Sequence, residues 1–86
     1  MFPTYNYDWF IDWLKRNIQK PKETSFNTQA KYIADNFSRC YFEVTESEVD
    51  SALKYLHFDY AVIDNEVYFS IDRSSEGFKI FSKHWN

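Results

Sequence analysis

The run VTESEVDSALKYLHFDYAVIDNEVYFSID, residues 44–72, constrains the fold more than any other part of the chain. Thr45 and Glu48 stand at the spacing of a capping box, with Val44 and Val49 placed as a hydrophobic staple. They predict a helix over about residues 45–56, burying Val49, Ala52, Leu53 and Leu56 and turning Asp50 and Lys54 outward as an i,i+4 pair. His57 follows at the helix end, where an imidazole can bond the last carbonyls. Two strand-like runs then flank Asp64-Asn65, residue types that tolerate the positive φ of a two-residue type I′ turn. That turn sets Val62 opposite Val67, Tyr60 opposite Phe69 and Phe58 opposite Ile71, all on one face. This face is expected to pack on Val49, Leu53 and Leu56. Ala61, Tyr68, Asp59, Ser70, Ile63 and Glu66 fall on the other.

Upstream, Phe10, Trp13, Leu14 and Ile18 recur at helical spacing, and Ile11 widens the stripe, predicting a helix over about residues 6–19 that stops before Pro21. Tyr5, Trp9 and Trp13 form a second stripe beside the first. One helix of a small domain cannot readily bury both. The expected covers for Trp9 are the tail aromatics Phe81 and Trp85, or a second chain. After the connection KPKETSFN, a second helix is expected over about residues 27–38, burying Ala30, Ile33, Ala34 and Phe37, with Ser25 and Asn27 as candidate caps. RCYFEV reads as a brief extended stretch carrying Tyr41 and Phe42 toward the core. In the tail, Phe78, Phe81 and Trp85 suit a helix, whereas Phe78 and Ile80 suit a strand. A short helix from about Ser75 is the preferred reading, with Gly77 as its weak point.

Composition narrows the function. With 86 residues and 44% hydrophobic content, the chain is expected to fold as a single compact domain, 1–86. The single Cys40 rules out an internal disulfide and an all-cysteine zinc site. No apolar run approaches the roughly 20 residues of a membrane span. The start, MFPTYNYDWF, does not read as a secretory signal, so a cytoplasmic location is expected. One glycine cannot build a phosphate-cradling loop. His57 and His84 sit in no catalytic motif, nothing pairs Cys40 with a base, and DNEVYFSID lacks calcium-loop spacing. No enzymatic activity, cofactor or metal site is expected.

Charge is distributed unevenly. Residues 1–42 hold six Lys/Arg against four Asp/Glu, whereas residues 43–72 hold Lys54 alone against eight acids, a net of −7. Such asymmetry bears on partners rather than on fold.

The order helix, helix, helix, hairpin over about residues 6–72 resembles the winged-helix family in topology. The expected class is therefore α+β: three helices followed by a β-hairpin, winged-helix-like, with a short C-terminal helix. The resemblance implies that residues 45–56 are the recognition helix and residues 63–67 the wing tip. In DNA-binding members these elements carry Arg, Lys, Asn or Gln to phosphates and base edges. Here the matching outward positions are Glu46, Ser47, Asp50, Ser51, Lys54 and Tyr55, and the tip is Asp64-Asn65-Glu66.

Carboxylates at those positions reverse the electrostatic attraction that drives nucleic-acid binding, and Lys54 cannot offset them. No nucleic acid is expected through the third helix. The expected function is a small non-catalytic protein-interaction domain with an acidic face, a DNA mimic able to occupy a basic nucleic-acid-binding surface. The Asn/Lys/Tyr/Phe-rich composition looks like that of a small phage or mobile-element protein. An anti-CRISPR-like inhibitor of a host nucleic-acid-binding protein is the specific form of this reading. Candidate partner-binding residues are Glu46, Asp50, Asp64 and Glu66, with Trp9 and Trp13 as an aromatic surface. The alternative is a winged-helix DNA-binding regulator using Lys15, Arg16, Lys20, Lys22, Lys31 and Arg39 of the first two helices and their connection. The chain is expected to be a monomer or homodimer. The bland reading of the acids is a solvated face.

Overall fold

In the computed structural model, residues 4–85 are described, with side chains for residues 6–83. The chain forms a small α+β domain of four helices and a three-stranded antiparallel sheet among the described residues. The elements run α1 (Thr4–Asn17), β1 (Phe26–Gln29), α2 (Ala30–Cys40), α3 (Glu46–Tyr55), β2 (Tyr60–Ile63), β3 (Glu66–Ser70) and α4 (Glu76–Trp85). The sheet order is β1-β3-β2, so β3 is central and β2 forms an outer edge. Expectations resting on the side chains of Tyr5, His84 and Trp85 lie outside the described residues.

The three expected helices are present, but a strand interrupts their succession. β1 occupies the end of KPKETSFN, pairing Phe26 with Ser70, Thr28 with Phe69 and Gln29 with Tyr68. The register slips at Asn27, the position of a bulge. Asn27 therefore does not cap the second helix, and neither does Ser25. The N-cap of α2 is Gln29, which makes no side-chain cap bond. Ser25 N–H donates to the Ser70 hydroxyl at 2.8 Å, so it too belongs to the β1–β3 junction.

The capping box opens α3 as its sequence predicts. Glu48 N–H donates to the Thr45 hydroxyl at 3.1 Å, and Thr45 N–H donates to a Glu48 carboxylate oxygen at 2.8 Å. The helix ends in a Schellman motif: Phe58 N–H donates to the Leu53 carbonyl and His57 N–H to the Lys54 carbonyl, both at 3.0 Å. His57 takes the left-handed φ of 66° that this turn requires. Its contribution comes through the main chain, where the sequence had suggested the imidazole.

The hairpin has the expected register, with Tyr60 opposite Phe69, Val62 opposite Val67 and Ile63 opposite Glu66. Asp64 and Asn65 have φ of 52° and 66°, as a type I′ turn demands. Phe69 is fully buried and Tyr68 only partly, which places the predicted face inward. Truncating a ring buried like that of Phe69 costs about 3–5 kcal/mol, a large part of the stability of a domain this size.

One hydrophobic cluster joins the described helices to the sheet. Phe10 and Phe37 meet edge to face at 4.6 Å between ring centroids, and Trp13 stacks on Phe81 of α4 at 5.6 Å. The tail is helical, burying Phe78 and Phe81 as predicted. Gly77 permits this docking. A Cβ there would stand 2.6 Å from Ile18 Cδ1, 3.0 Å from Trp13 Cη2 and 3.1 Å from the Asn17 carbonyl oxygen. The expected weak point of the helix is thus a place of close contact between α4 and the end of α1.

Candidate functional site

The four candidate carboxylates do not form one cluster. Glu46 is exposed in the first turn of α3, where the helix dipole favours an anion, and Asp50 lies one turn further on. Together with Ala30, Thr45, Ser47 and Val67 they line an open groove of about 450 Å³ between α3 and the inner face of the hairpin. One oxygen of Asp50 pairs with Lys54 Nζ at 3.2 Å, while Oδ1 is buried and finds no hydrogen-bond partner in the protein. Glu66 lies elsewhere. It shares the outer face of the sheet with Tyr68, and its Oε1 accepts a bond from Gln29 Nε2 at 2.8 Å. Asp64 occupies the turn itself.

The two tryptophans share Phe37 and Tyr41 as neighbours but differ in burial. Trp13 is buried, with its indole N–H donating to the Tyr41 hydroxyl at 3.1 Å. It is a core residue and cannot present a partner surface, which corrects the expectation of a Trp9–Trp13 patch. Trp9 keeps 46% exposure and packs against Tyr41 and Phe42, with centroids at 5.3 and 5.6 Å. The residues following α2, rather than Phe81, provide its partial cover. Phe81 stacks on Trp13 instead.

The outward positions of α3 are as acidic in space as in sequence. Glu46, Ser47, Ser51, Lys54 and Tyr55 are exposed and Asp50 partly so. Lys54 is held by Asp50 and by the Tyr60 ring, whose centroid lies 4.5 Å from Nζ. The basic set is dispersed. Lys15 and Lys20 flank a groove floored by Leu56 and Phe58, Arg16 pairs with Asp12 on its own helix, and Lys22, Lys31 and Arg39 are exposed on the connection and on α2.

Tyr60 and Val62, which the sequence places on the packed face, are exposed, whereas Ile63 and Tyr55 point outward as the sequence places them. Val62 is 65% exposed, Tyr60 48%, Ile63 43% and Tyr55 at the end of α3 69%. Tyr60 and Val62 lie on the inner face but remain exposed, so the expected packing of the whole face on Val49, Leu53 and Leu56 does not occur. The signal was present in the pattern: six hairpin residues were to be covered by Val49, Leu53 and Leu56. Phe58, Phe69 and Ile71 are buried, Val67 packs against the core, and β3 makes its helix contacts mainly with α2.

Among groups with catalytic potential, burial pushes the Cys40 thiol above its usual range, the opposite of an activated nucleophile. His57 is exposed. Among the described residues, no group of three or more His, Cys, Asp and Glu is arranged to hold a metal ion, and no helix is long and apolar enough to cross a membrane. Comparison with known proteins found no matching family model, curated protein or solved structure.

Proposed function

We propose that this chain is a winged-helix-like, non-catalytic protein-interaction domain whose α3–hairpin side engages a basic, nucleic-acid-binding surface of another protein. The winged-helix likeness rests on the succession α2, α3, β2, β3, with one face of α3 exposed and its Lys54 set over the Tyr60 ring of the hairpin. The observation that carries the function is the charge of that outward face. Glu46 and Asp50 stand where a DNA-reading helix needs cations, and Lys54 is already engaged by Asp50. Each carboxylate brought to about 4 Å from a phosphate costs about 1 kcal/mol in water and about 4 kcal/mol near a protein surface. The same charges attract Lys and Arg on a protein that normally holds nucleic acid.

In this reading the domain acts in the cytoplasm as an inhibitor of the kind phages and mobile elements direct against host nucleic-acid enzymes, with the carboxylates standing in for phosphates. The test is competition. A basic DNA-binding protein captured from nuclease-treated host lysate is loaded with labelled duplex, and the domain is titrated in. Displacement of the duplex supports the proposal. A complex that leaves the duplex bound contradicts it.

A further inference from the structure

We infer that the free edge of β2 accepts an extended segment of the partner as an added antiparallel strand, one that alternates cationic and apolar side chains. The inference rests on the reading of this side of the molecule as a protein-binding surface and specifies how contact is made.

Ser70 N–H donates to the Asp59 carbonyl at 2.9 Å, and the pairing continues through Ala61–Tyr68 to Ile63–Glu66. Hydrogen-bonded and non-hydrogen-bonded pairs alternate in an antiparallel ladder. Asp59, Ala61 and Ile63 therefore direct their polar main-chain groups toward β3, and Tyr60 and Val62 direct theirs away from the sheet. β2 has no neighbour on that side among the described residues. Exposed edges of this kind template strand addition unless blocked, and the edge holds no proline or bulge.

The side chains define the occupant. Tyr60 and Val62 are exposed on the inner face, with the Lys54 ammonium over the Tyr60 ring. An added strand must be apolar there, because a cation on that face would meet Lys54. Asp59 and Glu66 lie with Ile63 on the outer face. Cations belong there, with their aliphatic stems on Ile63. A second copy of this chain fits poorly, since it would set its own Asp59 and Asp64 along the same short edge.

The probe is a capped synthetic peptide of about eight residues alternating Lys and Val, long enough for one strand. It is titrated into the isotope-labelled full chain and followed by amide shifts and hydrogen exchange. Saturable binding that slows exchange at Tyr60 and Val62 is expected. A blocked peptide of the same composition, with its lysines together, should bind roughly tenfold or more weakly.

Val62→Pro removes an outward N–H without touching the β2–β3 ladder and should abolish binding. Val62→Lys retains that N–H but places a like charge on the apolar side, and should also weaken binding if the proline variant fails to fold. Equal binding of the two peptides, or retained binding by folded Val62→Pro, would overturn strand addition while leaving an electrostatic protein surface intact. Absence of any binding would overturn the inference too, the competition experiment above deciding the broader reading separately. Concentration-dependent dimerisation that protects Tyr60 and Val62 would overturn it in favour of a second copy.

Discussion

Asn27 meets Ile71 with both ends of its amide. Nδ2 donates to the Ile71 carbonyl at 2.9 Å, and Oδ1 accepts from Ile71 N–H at 3.4 Å. The side chain does at the bulge what a strand main chain would do, closing the sheet where β1 slips register. Removing it leaves both polar groups of the buried Ile71 short of partners. Asn27→Ala is expected to lose about 1–3 kcal/mol in urea unfolding, and Asn27→Asp, which turns a carboxylate oxygen toward the Ile71 carbonyl, should lose at least as much. Equal stability of Asn27→Ala and wild type would show that Ile71 is satisfied without it.

His57 ends α3 in the left-handed region, at φ 66°. A residue with a Cβ costs about 1–2 kcal/mol there, and glycine avoids most of it while adding unfolded-state entropy. His57→Gly is therefore expected to gain up to about 1 kcal/mol, read as a higher Tm. A loss would mean that the imidazole contributes through its own contacts.

At Gly77 two effects oppose each other. Alanine would favour the helix by about 1 kcal/mol but must displace Trp13, Ile18 or the main chain at Asn17, an overpacking cost of about 1–3 kcal/mol. The steric term should win because a main-chain oxygen and a packed indole yield less readily than a side-chain tip. Thermal unfolding of Gly77→Ala should show a lower Tm. An unchanged or higher Tm would mean that α4 slides away from α1 at little cost.

These cases show what local pattern can and cannot reveal. The Thr45–Glu48 box and the Asp64-Asn65 turn are chemistry between near neighbours, and α3 and the hairpin were legible from them down to register. β1 was not, because FNTQ has no apolar alternation and is held by distant partners, Ile71 and Ser70. Trp9 and Trp13 read as one stripe in sequence and both meet Tyr41, but Phe81 stacks on Trp13 and Trp9 stays half exposed. The acidic composition was evident, but the division of Glu46 and Asp50 from Glu66 depends on the sheet having two faces. The exposure of Tyr60 and Val62 depends on how the hairpin docks on the helices, which neither segment encodes alone.

The charge of α3 leads to a direct expectation for nucleic acid. Anisotropy titration of labelled duplex DNA at about 0.15 M salt should show no binding, since few cations on the α3–hairpin side are available to release counterions. Submicromolar affinity weakened by Lys54→Ala would contradict this.

The central claim is that Glu46 and Asp50 contact a basic protein surface. Its most direct test is the affinity of a captured nucleic-acid-binding partner for wild type and for the Glu46→Lys/Asp50→Lys variant, measured at two salt concentrations. The account predicts roughly tenfold or greater loss for the folded variant, with wild-type affinity falling as salt rises. Equal affinities for the two proteins, insensitive to salt, would contradict it.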